Sequence, residues 1–141
     1  MKFWDSSAIV PLLVPEVESK IIRGLLENDP EMLVWMLTPS EILSAVYRKA
    51  REGKILEKDL ILIRLRLSDL EKGWSEIVSW ENVRQKANRL LAVHPLRAAD
   101  AIQLAAALTA FEDHPEGEEF VTFDHNLSNA ARREGFHVVP A

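Results

Sequence analysis

Five short apolar runs, "KFWD" at 2–5, "EMLVWML" at 31–37, "SEIVSW" at 75–80, "FVTF" at 120–123 and "FHVV" at 136–139, alternate with longer amphipathic stretches along the chain. This alternation restricts the fold more than any other feature. Strands that are apolar along their length have both faces covered, and parallel pairing needs crossovers long enough to hold a helix. The expected architecture is therefore α/β, a parallel sheet with helices on both faces, over residues 1–141 as one domain. A chain of 141 residues buries a core of this size without cross-links. It has no cysteine, which excludes disulfides and thiolate metal sites and fits a reducing compartment.

Helices are expected between the strands. "SSAIVPLLVPE" reads as one or two helical turns interrupted by Pro11 and Pro15. A helix over 15–28 takes Pro15 into its first turn and sets Val17, Ile21, Ile22, Leu25 and Leu26 on one side. "TPSE" starts the next, with Thr38 as N-cap, Pro39 at N1 and Glu41 completing a capping box, and Gly53 ends it. Further helices are expected over 57–72, 81–94, 96–108 and 125–135. The helix at 57–72 carries more leucine and isoleucine than one buried face requires, which predicts a surface for a partner.

Charge narrows the function. Seventeen basic residues against twenty-two acidic ones give a net charge of −5. This balance weighs against broad, charge-driven adhesion to nucleic acid, because that mode relies on Lys and Arg neutralising phosphates. A nucleic-acid enzyme of this composition needs metal ions between its acids and the phosphate, and RNA contacts from a few groups such as Lys2, Arg48, Lys49 or Arg132. No apolar window approaches the ~20 residues that span a bilayer, and the N-terminus lacks the pattern of a secretory signal. A soluble, cytoplasmic protein is expected. Dinucleotide binding is excluded, since no G-x-G-x-x-G follows the first strand. A phosphoryl-transfer receiver domain needs an acidic pair after the first strand and a lysine near the last, and "FWDSS" and "FHVV" supply neither.

Four acids stand out. Asp5 and Asp124 sit where strands pass into helices, at the carboxyl edge where ligands of such sheets gather. Each is also a natural N-cap. Glu41 lies in a helix first turn, and Asp100 lies inside "LRAADAIQLAAAL", where an unpaired charge is costly. An ion pair with Arg97 is the structural alternative for Asp100. Four carboxylates brought together repel one another, so some hold a proton unless a cation intervenes, and oxygen-only ligands suit Mg²⁺ or Mn²⁺. The histidines give little: His94 and His114 precede prolines, His137 alternates within a strand, and only His125 adjoins an acid. Trp4, Trp35, Trp74 and Trp80 read as core or interface.

"FWDSSAIVPLL", "TPSEILSAVYR", "HPLRAADAIQLAAAL" and "FVTFDHNLSNAAR" occur in an order that resembles PIN-domain proteins, more narrowly the VapC-type toxin ribonucleases of toxin–antitoxin pairs. The third stretch is the most specific of these. The resemblance implies a three-layer α/β/α sandwich and a Mg²⁺- or Mn²⁺-dependent endoribonuclease acting on tRNA or another structured RNA. It also implies a homodimer and a VapB-like antitoxin. It places the family's acidic quartet, catalytic and metal-binding, on Asp5, Glu41, Asp100 and Asp124. Ser7 fills a hydroxyl position after the first Asp. Thr122 takes a supporting role, and Arg97 neutralises the acids or touches phosphate. The apolar surplus of helices 57–72 and 15–28 fits either a dimer seam or antitoxin groove, with Ile63 and Leu67 in the seam, or a role in the core alone. The competing reading is a catalytically inactive PIN-like protein-binding module.

Overall fold

The computed structural model describes residues 1–141. The elements run β1 Lys2–Trp4, α1 Ser6–Leu13, α2 Ser19–Asn28, β2 Met32–Trp35, α3 Thr38–Arg51 and α4 Glu57–Gly73. They continue as β3 Ser75–Ile77, α5 Trp80–Val93, α6 Ala98–Ala110, β4 Glu119–Val121, α7 His125–Glu134 and β5 His137–Val139. All five strands are parallel, in the order β3-β2-β1-β4-β5.

Successive side chains of a strand point to opposite faces, and the pleat here divides two cores. Phe3, Leu33, Trp35, Phe120 and Val138 face α5, α6 and α7. Trp4, Met32, Val34, Val121 and Val139 face α1 to α4. The result is the expected three-layer α/β/α sandwich. Phe3 stacks on Phe120 with ring centroids 5.4 Å apart, and Phe136 tilts against Phe120 at 5.6 Å. Burying each of these rings contributes on the order of 2 kcal/mol. No helix is long and apolar enough to cross a membrane.

Several local expectations are corrected. Pro11 does not interrupt α1, which runs through it. The missing amide bond is offset by the Asp5 cap and by burial of Ala8, Ile9 and Leu13. Helix α2 starts at Ser19 rather than Pro15, because the Ser19 hydroxyl closes a turn there, accepting from the Glu16 amide at 2.8 Å. The Thr38–Glu41 capping box does not form. Leu37 occupies the N-cap, and the Thr38 hydroxyl turns inward to accept from the buried Gln103 amide. Helix α6 begins at Ala98 behind an extended Arg97, so Asp100 stands in its first turn and not in its interior. Trp80 opens α5 and is exposed, with the Arg84 guanidinium 5.5 Å from its ring centre. On α4, Ile63 and Leu67 belong to the core, and the surplus apolar side chains that face solvent are Ile61, Leu62 and Leu65.

Strand β1 leads through α1 and α2 to β2 on one side, whereas β4 leads through α7 to β5 on the other. The crossovers therefore part company above β1 and β4. A crevice opens at their carboxyl ends, the usual ligand position in a sheet of this kind.

Candidate active site

Asp5 follows β1 directly and caps α1. Its Oδ2 accepts from the Ser7 hydroxyl at 2.5 Å, the Thr122 hydroxyl at 2.9 Å and the Ser7 amide at 3.4 Å. Ser7 in turn accepts from the Phe123 amide at 3.1 Å, and Thr122 accepts from the Asp124 amide at 3.0 Å. The two hydroxyls thus tie the end of β1 to the segment after β4. Burial pushes the Asp5 carboxyl up to about 6, against the pull of these hydrogen bonds and with some help from the charge of Glu41. Thr122 is a buried partner of an acid, not an ordinary strand threonine.

Glu41 stands in the first turn of α3. Its Oε2 accepts from Ser6 Oγ at 2.9 Å and from Gln103 Nε2 at 3.1 Å. Ser6 also reaches Asp5 Oδ1 at 3.5 Å, so one hydroxyl bridges two carboxylates. Burial raises the Glu41 pKa, the bonds from Gln103 and Ser6 lower it, and the Asp100 charge raises it again. Ser6 and Gln103 are the residues that sequence reasoning passed over. Gln103 carried a usable signal, a polar side chain one turn after Asp100 among small apolar residues.

Asp124 caps α7, accepting the Leu127 amide on Oδ1 at 2.7 Å and leaving Oδ2 free. Asp100 accepts no hydrogen bond from the protein. Burial first, then the charges of Asp124 and Asp5, push it up to about 6, while the field of Arg97 lowers it slightly. The ion pair with Arg97 is not formed, and Arg97 is exposed at the N-cap of α6. All four acids therefore lie at the N-cap or in the first turn of four different helices.

Glu41, Asp100 and Asp124 line a cleft of about 1410 Å³ together with Ser6, Ser7 and Arg97. Asp5 lies beneath them, at 3% exposure, joined to the lining by Ser6 and Ser7. As the side chains stand, no three of them form a ready-made metal cage. The donor set still fits a hard divalent cation. It is oxygen only, and each of Asp5, Glu41 and Asp100 is raised in part by the charge of another acid, which a cation relieves. Mg²⁺ binds through one or two carboxylates while keeping several waters, so a complete protein cage is not required.

Besides Arg97, the only cation expected to meet RNA that lines the cleft is Arg48. Lys2 is buried at the opposite edge of the sheet, paired with Asp29 at 3.3 Å and Glu119 at 3.8 Å. Lys49 is held by Glu16 at 3.2 Å. Arg132 belongs to the last turn of α7, at the far end from Asp124. His94 also borders the cleft, but its Nε2 is engaged by Glu134 Oε2 at 2.7 Å.

The sequence model of the PIN domain matches residues 2–133, almost the whole chain. The chain belongs to the PIN-domain family. This PIN domain is 29% identical over 146 residues to Ribonuclease VapC45 of Mycobacterium tuberculosis strain CDC 1551/Oshkosh, covering 99% of this chain and 94% of that protein. The figures are the same for Ribonuclease VapC49 of the M. tuberculosis strain H37Rv.

Proposed function

We propose that the protein is a divalent-cation-dependent endoribonuclease, the VapC-type toxin of a toxin–antitoxin pair. The observation that carries this reading is the gathering of Asp5, Glu41, Asp100 and Asp124 around one cleft of a PIN domain whose relatives are named ribonucleases. In this reading residues 1–141 act as one nuclease unit in the cytoplasm, and a structured RNA, such as a tRNA, is the substrate. The four acids hold Mg²⁺ or Mn²⁺. When bound, the ion supplies a water of lowered pKa and offsets charge on the phosphate oxygens.

The chain's own part is to aim the carboxylates. Ser7 and Thr122 fix Oδ2 of Asp5, Ser6 and Gln103 fix Oε2 of Glu41, and Leu127 fixes Oδ1 of Asp124. Glu41 and Asp124 each keep a second oxygen for a ligand, Asp100 keeps both, and Oδ1 of Asp5 meets only the long contact from Ser6 at 3.5 Å. Arg97, at the rim, offers a positive charge to a phosphate. Hydrolysis adds water across the P–O3′ bond and leaves a 5′-phosphate and a 3′-hydroxyl. Asp5→Asn or Asp100→Asn is expected to abolish cleavage of RNA, and a chelator to block the parent protein. Retained cleavage in either variant refutes the assignment. The complete quartet weighs against an inactive binding module.

The partner proteins follow from the same reading: a VapB-like antitoxin that covers the cleft, and a second copy of the chain. Support for a homodimer comes from the apolar side chains left in water, Ile61, Leu62 and Leu65 on α4, and Val17 and Ile21 at and just before α2.

A further inference from the structure

Glu134 is the last residue of α7, where the carboxyl end of a helix disfavours a negative charge. Its side chain is nonetheless only 14% exposed and sits between two basic groups. Oε1 accepts from Arg89 Nη2 at 2.7 Å, and Oε2 accepts from His94 Nε2 at 2.7 Å and from Arg89 Nη1 at 3.4 Å. Burial raises the carboxyl, but the bonds from Arg89 and His94 outweigh it and the pKa is lowered. A carboxylate only accepts, so Nε2 of His94 carries the proton. Nδ1 of the same buried ring has no partner, which leaves Glu134 as the one hydrogen-bonding group that orients it.

His94 is the C-cap of α5 and opens the four-residue link, 94–97, into α6. No other side chain of this link makes a hydrogen bond or ion pair. Leu96 adds a partly buried apolar contact, Arg97 is exposed, and α6 starts without a side-chain cap. Asp100, three residues after Arg97, is the one acid of the four that accepts no hydrogen bond from the protein. Its position is therefore set by the backbone that carries it, and Glu134 pins that backbone from the side. The charges of Asp100 and Asp124 oppose each other. Asp124 heads α7 and Glu134 ends it, about 15 Å along the axis. One helix thus joins Asp124 to the anchor of the link that leads to Asp100.

Resting on the nuclease reading above, we infer that Glu134 and His94 are positioning residues, whose bond ties the α5–α6 link to α7 and holds Asp100 at the spacing from Asp124 that a divalent cation bridges. Without the tie, like charges drive the two carboxylates apart in the ion-free protein. The ion must then draw them back, which weakens its binding. The tie acts through the backbone of α6 and not by ligating the ion. Arg89 steadies the charge of Glu134 but stands on the body of α5, five residues before the link.

Mn²⁺ binding, measured by calorimetry without RNA, reads the tie directly. His94→Ala and Glu134→Ala are each expected to weaken it about tenfold, the scale of one hydrogen bond to a charged group. The Mn²⁺ concentration for half-maximal RNA cleavage should rise by the same factor, with the rate at saturating Mn²⁺ kept. His94→Gln keeps an N–H donor for Glu134 and is expected to restore the parent affinity. Arg89→Ala leaves the His94 bond in place and is expected to lower stability without changing Mn²⁺ affinity. Circular dichroism checks each fold. Should the alanine variants not fold, Glu134→Gln keeps the shape, makes the bond a neutral one and is expected to weaken Mn²⁺ binding by a smaller factor.

The inference is overturned if the folded His94→Ala or Glu134→Gln protein binds Mn²⁺ as the parent does, or if His94→Gln binds no better than His94→Ala. Loss of Mn²⁺ affinity in Arg89→Ala equal to that in His94→Ala would trace the effect to lost stability and overturn it too. A parent protein that binds neither Mn²⁺ nor Mg²⁺ refutes the nuclease reading and this inference together, whereas equal binding by parent and variant refutes this inference alone.

Discussion

Replacing Asp5 by Asn removes a charge that the fold holds against its own stability. The side chain is almost fully buried, and its pKa rises from 3.8 to about 6. The folded protein binds this proton more tightly than the unfolded chain, so stability falls as pH rises from about 4 to 6 and stays lowered above that. Just over two units at 1.36 kcal/mol each give about 3 kcal/mol. Asparagine keeps an acceptor where Oδ2 now meets Ser7 and Thr122, and its amide takes the place of Oδ1 near Ser6. In urea unfolding with EDTA, Asp5→Asn is expected to be more stable than the parent by up to about 3 kcal/mol at pH 8, with the gap closing toward pH 4. Added Mg²⁺ should stabilise the parent and narrow the gap. A gap of the same size at both ends of the pH range, or a variant less stable at pH 8, refutes the reasoning.

Gln103→Leu keeps the side-chain bulk but removes the donor shared by Thr38 and Glu41. It is expected to lower stability by about 1–3 kcal/mol and to slow RNA cleavage; an unchanged melting temperature and rate would show that Glu41 needs no such anchor. Leu62→Glu combined with Leu65→Glu should convert a dimer to a folded monomer on size exclusion, and elution unchanged from the parent would remove α4 from the interface. Ile63→Glu, one residue along, should instead unfold the protein by burying a charge in the core, as read by circular dichroism.

The sheet and the helical layers were legible because apolar patterning records burial directly: the all-apolar "MLVW", short and bounded by turn residues, reads as a strand covered on both faces. Helix starts were less legible. Ser19 and Thr38 are hydroxyl residues whose bonds depend on what the fold brings near them, and Thr38 meets Gln103, 65 positions away, rather than capping its own helix. The acids could be picked out because a carboxylate at a strand end or in an apolar helix is conspicuous. Their supports could not, since Ser6 and Gln103 acquire meaning only through Glu41, 35 and 62 positions distant. Lys2 misled for the same reason. Nothing in "MKFW" tells that its ammonium sits under the sheet beside Asp29 and Glu119.

The placing of one acid at the head of each of four helices has an electrostatic consequence. A helix amino end carries roughly half a positive charge in its unpaired amides. Four such ends aimed at one spot amount to about two units, the charge of the cation proposed to sit there. The backbone thus lends the four acids part of what an ion would give them. The same amides stay positive toward an incoming phosphate, in a molecule whose side chains sum to −5.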